Sequence, residues 1–196
     1  YLTKYREKMN NKNKTYQVQT QTLGAYMADN ITGCFALAHQ IGIEPENIIS
    51  AVNTFKGLKR RLEKRYEGDI TIFDDIAHSP SKAEATLNSL RSVYDGKIIA
   101  IFEPNTGNRQ RVAIPSYDNA FASADEMIIP RLTKIKTNTN DLNKQMDGQE
   151  LANIIKKTHP LVRYIDEDAD ILQHIAASTK QGDVVVFLGS HGFRGM

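Results

Sequence analysis

A single cysteine, Cys34, occurs in the 196 residues, which excludes an intrachain disulfide framework and any multi-cysteine zinc site. The five histidines, at 39, 78, 159, 174 and 191, show neither HxxxH nor HxH spacing, so no preformed zinc pair is visible. The apolar run Val184 to Leu188 is far too short to span a bilayer. No basic-then-apolar signal segment opens the chain, and the expected compartment is the reducing cytoplasm, with no membrane partner. Excess charge of one sign is missing too. With 25 basic and 23 acidic side chains the net charge is +2, which is not the basic surplus of a dedicated nucleic-acid binder. No G-x-x-x-x-G-K-[ST] phosphate loop occurs, and no G-x-S-x-G elbow surrounds Ser190. Residue 1 is Tyr, not Met, which reads as the start of a fragment comprising one domain and a piece of another.

What is present is an alternation of strands and helices. Residues 1 to 14 are polar and rich in Lys and Asn, and read as a poorly buried lead-in. Thr15 to Leu23 alternates in part as a strand does, and a helix follows Gly24 with Ile31, Phe35, Ala38 and Ile41 on one face. A second helix starts at Pro45, carries Ile48, Ile49, Val52 and Phe55, and stops at Gly57. After the charged stretch Lys59 to Glu67 come strand Asp69 to Phe73, a helix opened by Ser79-Pro80 with Ala83, Leu87, Leu90 and Val93 inward, and strand Lys97 to Phe102. Then follow helix Ser116 to Ser123, strand Glu126 to Ile129, a polar loop Leu132 to Asp147 and helix Gly148 to Thr158. Strand Leu161 to Ile165, helix Ala169 to Thr179 and strand Asp183 to Leu188 complete the series. Five strands separated by helices predict an α/β, Rossmann-like, doubly wound and mostly parallel sheet, with a boundary near Tyr66. Residues 1–66 would precede that domain and residues 67–196 would form it.

Three constellations fall just after predicted strands, where an open α/β sheet places its ligand crevice. Phe73-Asp74-Asp75-Ile76-Ala77-His78-Ser79-Pro80 offers two carboxylates and an imidazole able to hold a ribose, a phosphate-bound cation or a charged substrate, or only to cap the next turn. Phe102 to Arg109 offers a guanidinium able to grip carboxylate or phosphate, or a solvated loop arginine. Leu188 to Gly195 sets Ser190, His191, Phe193 and Arg194 among three glycines, as a ligand loop or a flexible tail would. The basic run Lys59 to Arg65 lacks an interleaved aromatic platform and reads as a solvated face rather than an RNA site. Cys34 lies on the apolar side of its helix and reads as core.

In order, these motifs resemble the Mur ligase family, the ATP-dependent ligases of peptidoglycan precursors. The carriers are Gly24 to Asn30, Phe55-Lys56-Gly57 with Arg60-Arg61-Leu62-Glu63, Asp74 to Pro80 and Ala85-Thr86-Leu87, spanning about residues 16 to 196. Phe102-Glu103-Pro104 and Leu188 to Phe193 are similar to the branch that joins UDP-N-acetylmuramate to L-alanyl-γ-D-glutamyl-meso-diaminopimelate, the murein tripeptide. The L-alanine-adding branch is next in likeness, and a non-catalytic α/β nucleotide- or peptide-binding module is the alternative from another class. The resemblance implies that residues 1–66 end a central ATPase domain and that 67–196 form the C-terminal substrate-binding domain. It implies ATP contacts for Asn30, Arg61 and Asp75, and substrate contacts for His78, Arg109, Ser190, His191, Phe193 and Arg194. Tyr26-Met27 depart from the family's His-Asn, Ser79 replaces a second His, and Thr106 replaces an arginine of the alanine-adding relatives. ATP and Mg2+ would serve the full-length enzyme, with UDP-N-acetylmuramate and the tripeptide or L-alanine as partners. No metal ligand, tightly bound cofactor or complete catalytic set is expected in this chain, and no oligomeric state is implied. The purified chain alone is therefore expected to hydrolyse ATP negligibly; robust magnesium-dependent turnover in a phosphate-release assay would contradict this.

Overall fold

The computed structural model describes residues 2–9, 12–133 and 145–196, with side chains described from residue 15 onward in those ranges. It divides into two compact units, 1–59 and 60–196. Most of the polar loop expected from Leu132 to Asp147 lies outside the described residues.

In the first unit, β1 (Leu2–Met9) and β2 (Lys12–Gln19) pair antiparallel as a hairpin, from Leu2 opposite Gln19 to Met9 opposite Lys12. The expected lead-in is therefore largely strand. Its polar sequence hid this, because ladder hydrogen bonds need no apolar alternation. Helix α1 (Ala25–Gln40) follows Gly24, whose φ of 99° suits a residue without a side chain. Helix α2 (Pro45–Thr54) has its proline in the first turn, where the missing N–H costs no helical bond. Tyr16, Val18, Phe35 and Ile48 form the core of this unit, with the Tyr16 and Phe35 rings 5.4 Å apart. Ile31 is buried as expected, whereas Ile41 caps α1 and is 71% exposed.

The second unit is a six-stranded sheet in the order β3-β4-β8-β5-β6-β7. Its strands are β3 (Glu63–Glu67), β4 (Thr71–Asp75), β5 (Ile98–Glu103), β6 (Glu126–Pro130), β7 (Val162–Ile165) and β8 (Val184–Gly189). All pairings are parallel except the edge pair β3–β4. The division at Lys59/Arg60, rather than near Tyr66, follows from β3, which lies inside the stretch read as charged surface. Charged residues suit a solvent-facing edge strand and conceal it from a hydrophobicity reading.

Helices α3 (Pro80–Arg91), α4 (Gly148–Ile155) and α5 (Asp168–Ser178) supply three of the crossovers. Val93 falls beyond α3 and is largely exposed. The helix expected over 116–123 is replaced by 3-10 turns at Thr106–Arg109 and Arg111–Tyr117 and by further turns beyond them. Pro115 cannot donate a backbone hydrogen bond, and Asn119 has φ 58°, so a continuous helix is interrupted there. Ile99, Ile101, Ile128 and Val185 pack with Ile171 and Ile175 of α5, while Phe102 meets Tyr117 and Phe121 at 6.4 and 5.1 Å. Alternating side chains thus fill both faces of the sheet. Near-continuous burial along β5, β6 and β8 matches the uninterrupted apolar runs.

At the amino end of β6, Glu126 is 1% exposed and accepts from Lys97 Nζ at 2.6 Å and from Arg163 Nε and His174 Nε2 at 2.7 Å each. Burial pushes its carboxyl upward, but the three hydrogen bonds outweigh it and hold the pKa at about 2. A depressed carboxyl stabilises the fold above its unfolded pKa and loses that contribution as pH falls toward the folded value. Glu126→Gln should therefore cost on the order of 2–4 kcal/mol at pH 7. In denaturant melts the gap from wild type should close as pH drops from about 4.5 toward 2. A pH-independent gap would contradict this assignment.

Candidate functional site

β8 is last in the chain yet sits between β4 and β5, so the carboxyl ends of these three strands lie side by side. Reversal of strand order opens a crevice at such a place. Three loops leave it: 76–79 after β4, 104–109 after β5 and 190–194 after β8.

The turn 60–62 clasps the β4 and β8 sides. Arg60 Nε approaches Asp74 Oδ2 at 3.3 Å, and its Nη1 and Nη2 donate to the carbonyls of Ser190 and His191 at 3.0 Å each. Its own carbonyl accepts from Ile76 N–H at 2.9 Å. Arg60 and Leu62 hold left-handed φ values of 56° and 46°. Asp75 fixes the same turn, accepting from Leu62 N–H at 2.6 Å and Ala77 N–H at 2.7 Å. Burial raises its carboxyl above the ordinary range despite those hydrogen bonds. Arg61, between the two clamps, is exposed and has no hydrogen bond or ion pair among the described residues. Its guanidinium is available to an anion.

The β5 side is built around Glu103, 1% exposed. Its Oε1 accepts from Arg109 Nη2 at 3.2 Å and from Thr133 N–H at 2.8 Å. Arg109, 5% exposed, also donates from Nε to the Pro104 carbonyl at 3.2 Å and from Nη1 to the Thr133 carbonyl at 2.7 Å. Every nitrogen of that guanidinium is used. Arg109 thereby braces the β5 and β6 loops. His78 hydrogen-bonds through Nδ1 to the Ile76 carbonyl at 2.7 Å, and its own carbonyl accepts from Asn105 N–H and Asn108 Nδ2. The β4 and β5 loops are thereby tied, with His78 partly buried and its Nε2 unbonded among the described residues.

Phe193 is a core residue, 3% exposed, with its ring 5.3 Å from Phe187. A side chain at Gly189 would lie 2.9 Å from the Phe193 ring and 3.1 Å from the Glu103 carbonyl, so only glycine fits. Phe193 packs against the sheet with its ring buried. Arg194 is drawn to Asp168, with Nε 2.8 Å from Oδ2, and donates to the Arg131 carbonyl at 3.2 Å. Hydrogen bonding from Arg194 holds the Asp168 carboxyl below its usual range. His191 is exposed and Ser190 half-buried. Asn30 is exposed on α1 of the first unit. Sequence reasoning did not assign roles to Arg60, Glu103 or Asp168. Glu103 stood inside the Phe-Glu-Pro motif, while nothing in the sequence separates Arg60 from Arg61.

Residues 60–191 match the family described as Mur ligase, glutamate ligase domain. The chain belongs to the Mur ligase family. The UDP-N-acetylmuramate–L-alanine ligase of Brachyspira hyodysenteriae is 32% identical over 169 residues, covering 86% of this chain and 36% of that protein. The chain thus spans little more than a third of that relative's length. Among solved structures, the UDP-N-acetylmuramate–alanine ligase of Thermotoga maritima matches with a TM-score of 0.75 at 20% identity, over 94% of this chain and 39% of that one. A murein peptide ligase from Psychrobacter arcticus matches with a TM-score of 0.60 at 24% identity, over 98% and 42%. At these identities the two structures speak for the fold, a Mur ligase α/β domain with a mostly parallel sheet. Among the described residues no helix is long and apolar enough to cross a membrane.

The bracing role of Arg109 is open to test. Arg109→Ala leaves Glu103 buried without its charge partner and should cost about 3–5 kcal/mol in denaturant unfolding. A loss below about 1 kcal/mol would mark it as an ordinary exposed arginine.

Proposed function

We infer that the chain is part of an ATP-dependent amide-bond ligase that joins UDP-N-acetylmuramate to the α-amine of L-alanine. Residues 60–196 would be its substrate-binding domain, and 1–59 the closing part of its ATP-binding domain. The observation that carries the reading is the convergence of the 60–62 turn and the three loops on one strand edge, in a chain of this family. The relative from Brachyspira hyodysenteriae favours L-alanine as the amine. The murein tripeptide, whose reacting amine is likewise an L-alanine α-amine, is the second reading, favoured by Phe102-Glu103-Pro104 and Gly189-Ser190-His191-Gly192-Phe193.

The chemistry suits such an edge. A muramyl carboxylate attacks the γ-phosphate and displaces ADP to give an acyl phosphate; the neutral amine then attacks the carbonyl, inorganic phosphate leaves, and the new amide nitrogen loses a proton. Protein assistance to such transfers is chiefly positioning and charge neutralisation. Arg61, exposed and unpaired among the described residues, would meet the phosphates, and Asp75 would act through the turn that presents it. Asn30 would contact the adenine. Partly buried His78 and the Ser190-His191 segment, held by Arg60, would border the amine site, with Arg194 beside it; Arg109 and Phe193 would shape it from behind. In the full-length enzyme Mg2+ would accompany the ATP phosphates.

Two outcomes are expected from the full-length enzyme. Arg61→Ala should lower kcat/KM by at least about 100-fold, while Lys64→Ala, already paired with Glu67 at 2.8 Å, should be nearly silent. Equal effects would reduce the basic run to a charged surface. Offered L-alanine and the tripeptide side by side, it should consume L-alanine preferentially by mass spectrometry; preference for the tripeptide would establish the second reading.

A further inference from the structure

Glu103 carries an imbalance that its neighbours leave unresolved. Its Oε1 has two donors, but Oε2, on a side chain 1% exposed, has no hydrogen-bond partner among the described residues. Arg194 Nη1 stands 3.7 Å from Oε2, within Coulomb range but beyond a hydrogen bond. The same Nη1 donates to the Arg131 carbonyl, and the rest of that guanidinium faces Asp168. A buried acceptor without a donor is costly, so one left empty marks a place where a donor belongs. The oxygen sits at the carboxyl end of β5, the strand flanked by β8 and β6, inside the crevice already described.

Three features decide what would fill it. The receiving group is an anionic acceptor, so the ligand supplies a donor and is favoured if positive. A divalent metal would want several oxygen ligands, and among the described residues no such group exists. The gap lies beside Arg194, whose guanidinium can turn toward a carboxylate. A primary ammonium next to a carboxylate satisfies all three: the free α-amino end of an amino acid or peptide.

We propose that Glu103 Oε2 seats the α-ammonium of the incoming amine, with Arg194 as the movable cover of that seat. This rests on the ligase reading above, and holds equally for free L-alanine and for a peptide that begins with it. The cover is built to move. Phe193 and Arg194 are successive non-glycine residues at left-handed φ, 46° and 55°, a strained geometry that repacking of the segment would relieve. The other candidate, a cleft of about 400 Å³ lined by Asn153, Lys156, Arg163, Tyr164 and His174 among others, offers no comparable vacancy, because Arg163 and His174 already neutralise Glu126.

The test uses the full-length enzyme. Glu103→Gln keeps an acceptor for Arg109 and Thr133 but removes the charge. It should raise the KM for L-alanine at least ten-fold while leaving the KM values for ATP and UDP-N-acetylmuramate within two-fold. An unchanged alanine KM in a folded variant would overturn the proposal, as would a parallel rise in all three. Should Glu103→Gln fail to fold, the wild type still decides. Ethylamine, an ammonium without a carboxylate, should compete with L-alanine more strongly than propionate, a carboxylate without an ammonium; the reverse order would overturn the seat. An enzyme that ligates neither amine would sink the ligase reading itself, whereas normal ligation with an indifferent Glu103→Gln would sink only the ammonium seat.

Discussion

Insertion of β8 between β4 and β5 is the constraint on which the rest of the second unit depends. It brings the last strand beside the first parallel strand, so loops more than a hundred residues apart in sequence leave the sheet from neighbouring positions. The insertion also requires an interior in which three adjacent strands are covered on both faces. Aliphatic β5 and β8 satisfy this, with α5 on one side and Phe121, Tyr117 and α3 serving the other. Burial on that scale makes the strand positions rigid and leaves the loops at their ends free to carry chemistry.

Around that edge, most charges are consumed in holding the loops. Arg60 spans β4 and β8, Asp75 pins the turn bearing Arg61, Arg109 joins β5 to the segment after β6, and Arg194 is drawn to Asp168. Each bond fixes backbone geometry and leaves little of the bracing side chain for a ligand. Among the described residues the groups left over are few: the Arg61 guanidinium, the His78 and His191 imidazoles, and one oxygen of Glu103. On the proposed function, a substrate site made from so small a remainder would be positioned by the dense polar scaffold behind it, as precision in group transfer requires.

The parallel sheet was legible because buried parallel strands write themselves as apolar runs, as Ile98 to Phe102 and Val184 to Leu188 do. Edge elements escaped. β3 reads as charge, and β1 with the first residues of β2 reads as a polar lead-in, since a strand ladder forms without apolar alternation in its sequence. The stretch 116–123 read as helix but is irregular, because Pro115 just before it lacks a backbone donor and Asn119 holds a left-handed φ. At the site, motifs located the loops but did not rank the residues. Arg60 and Arg61 are adjacent and chemically identical, and only the fold makes one a clasp and the other a free cation. Burial of Arg109 and Phe193 in the wall behind the loops was likewise not legible in their motifs.

Sequence motifs lean toward the tripeptide and the curated relative toward L-alanine, but both readings place an alanine amine at the same strand edge. The central claim is therefore spatial: the amine is received where β4, β8 and β5 end. A crystal structure of the full-length enzyme with UDP-N-acetylmuramate, a non-hydrolysable ATP analogue and L-alanine tests it directly. The account predicts amine density among His78, Glu103 and the Ser190-His191 segment, with Arg61 on the phosphate side. Density for the amine beside β7, near Arg163 and His174, with the β5 and β8 ends left empty, would contradict it.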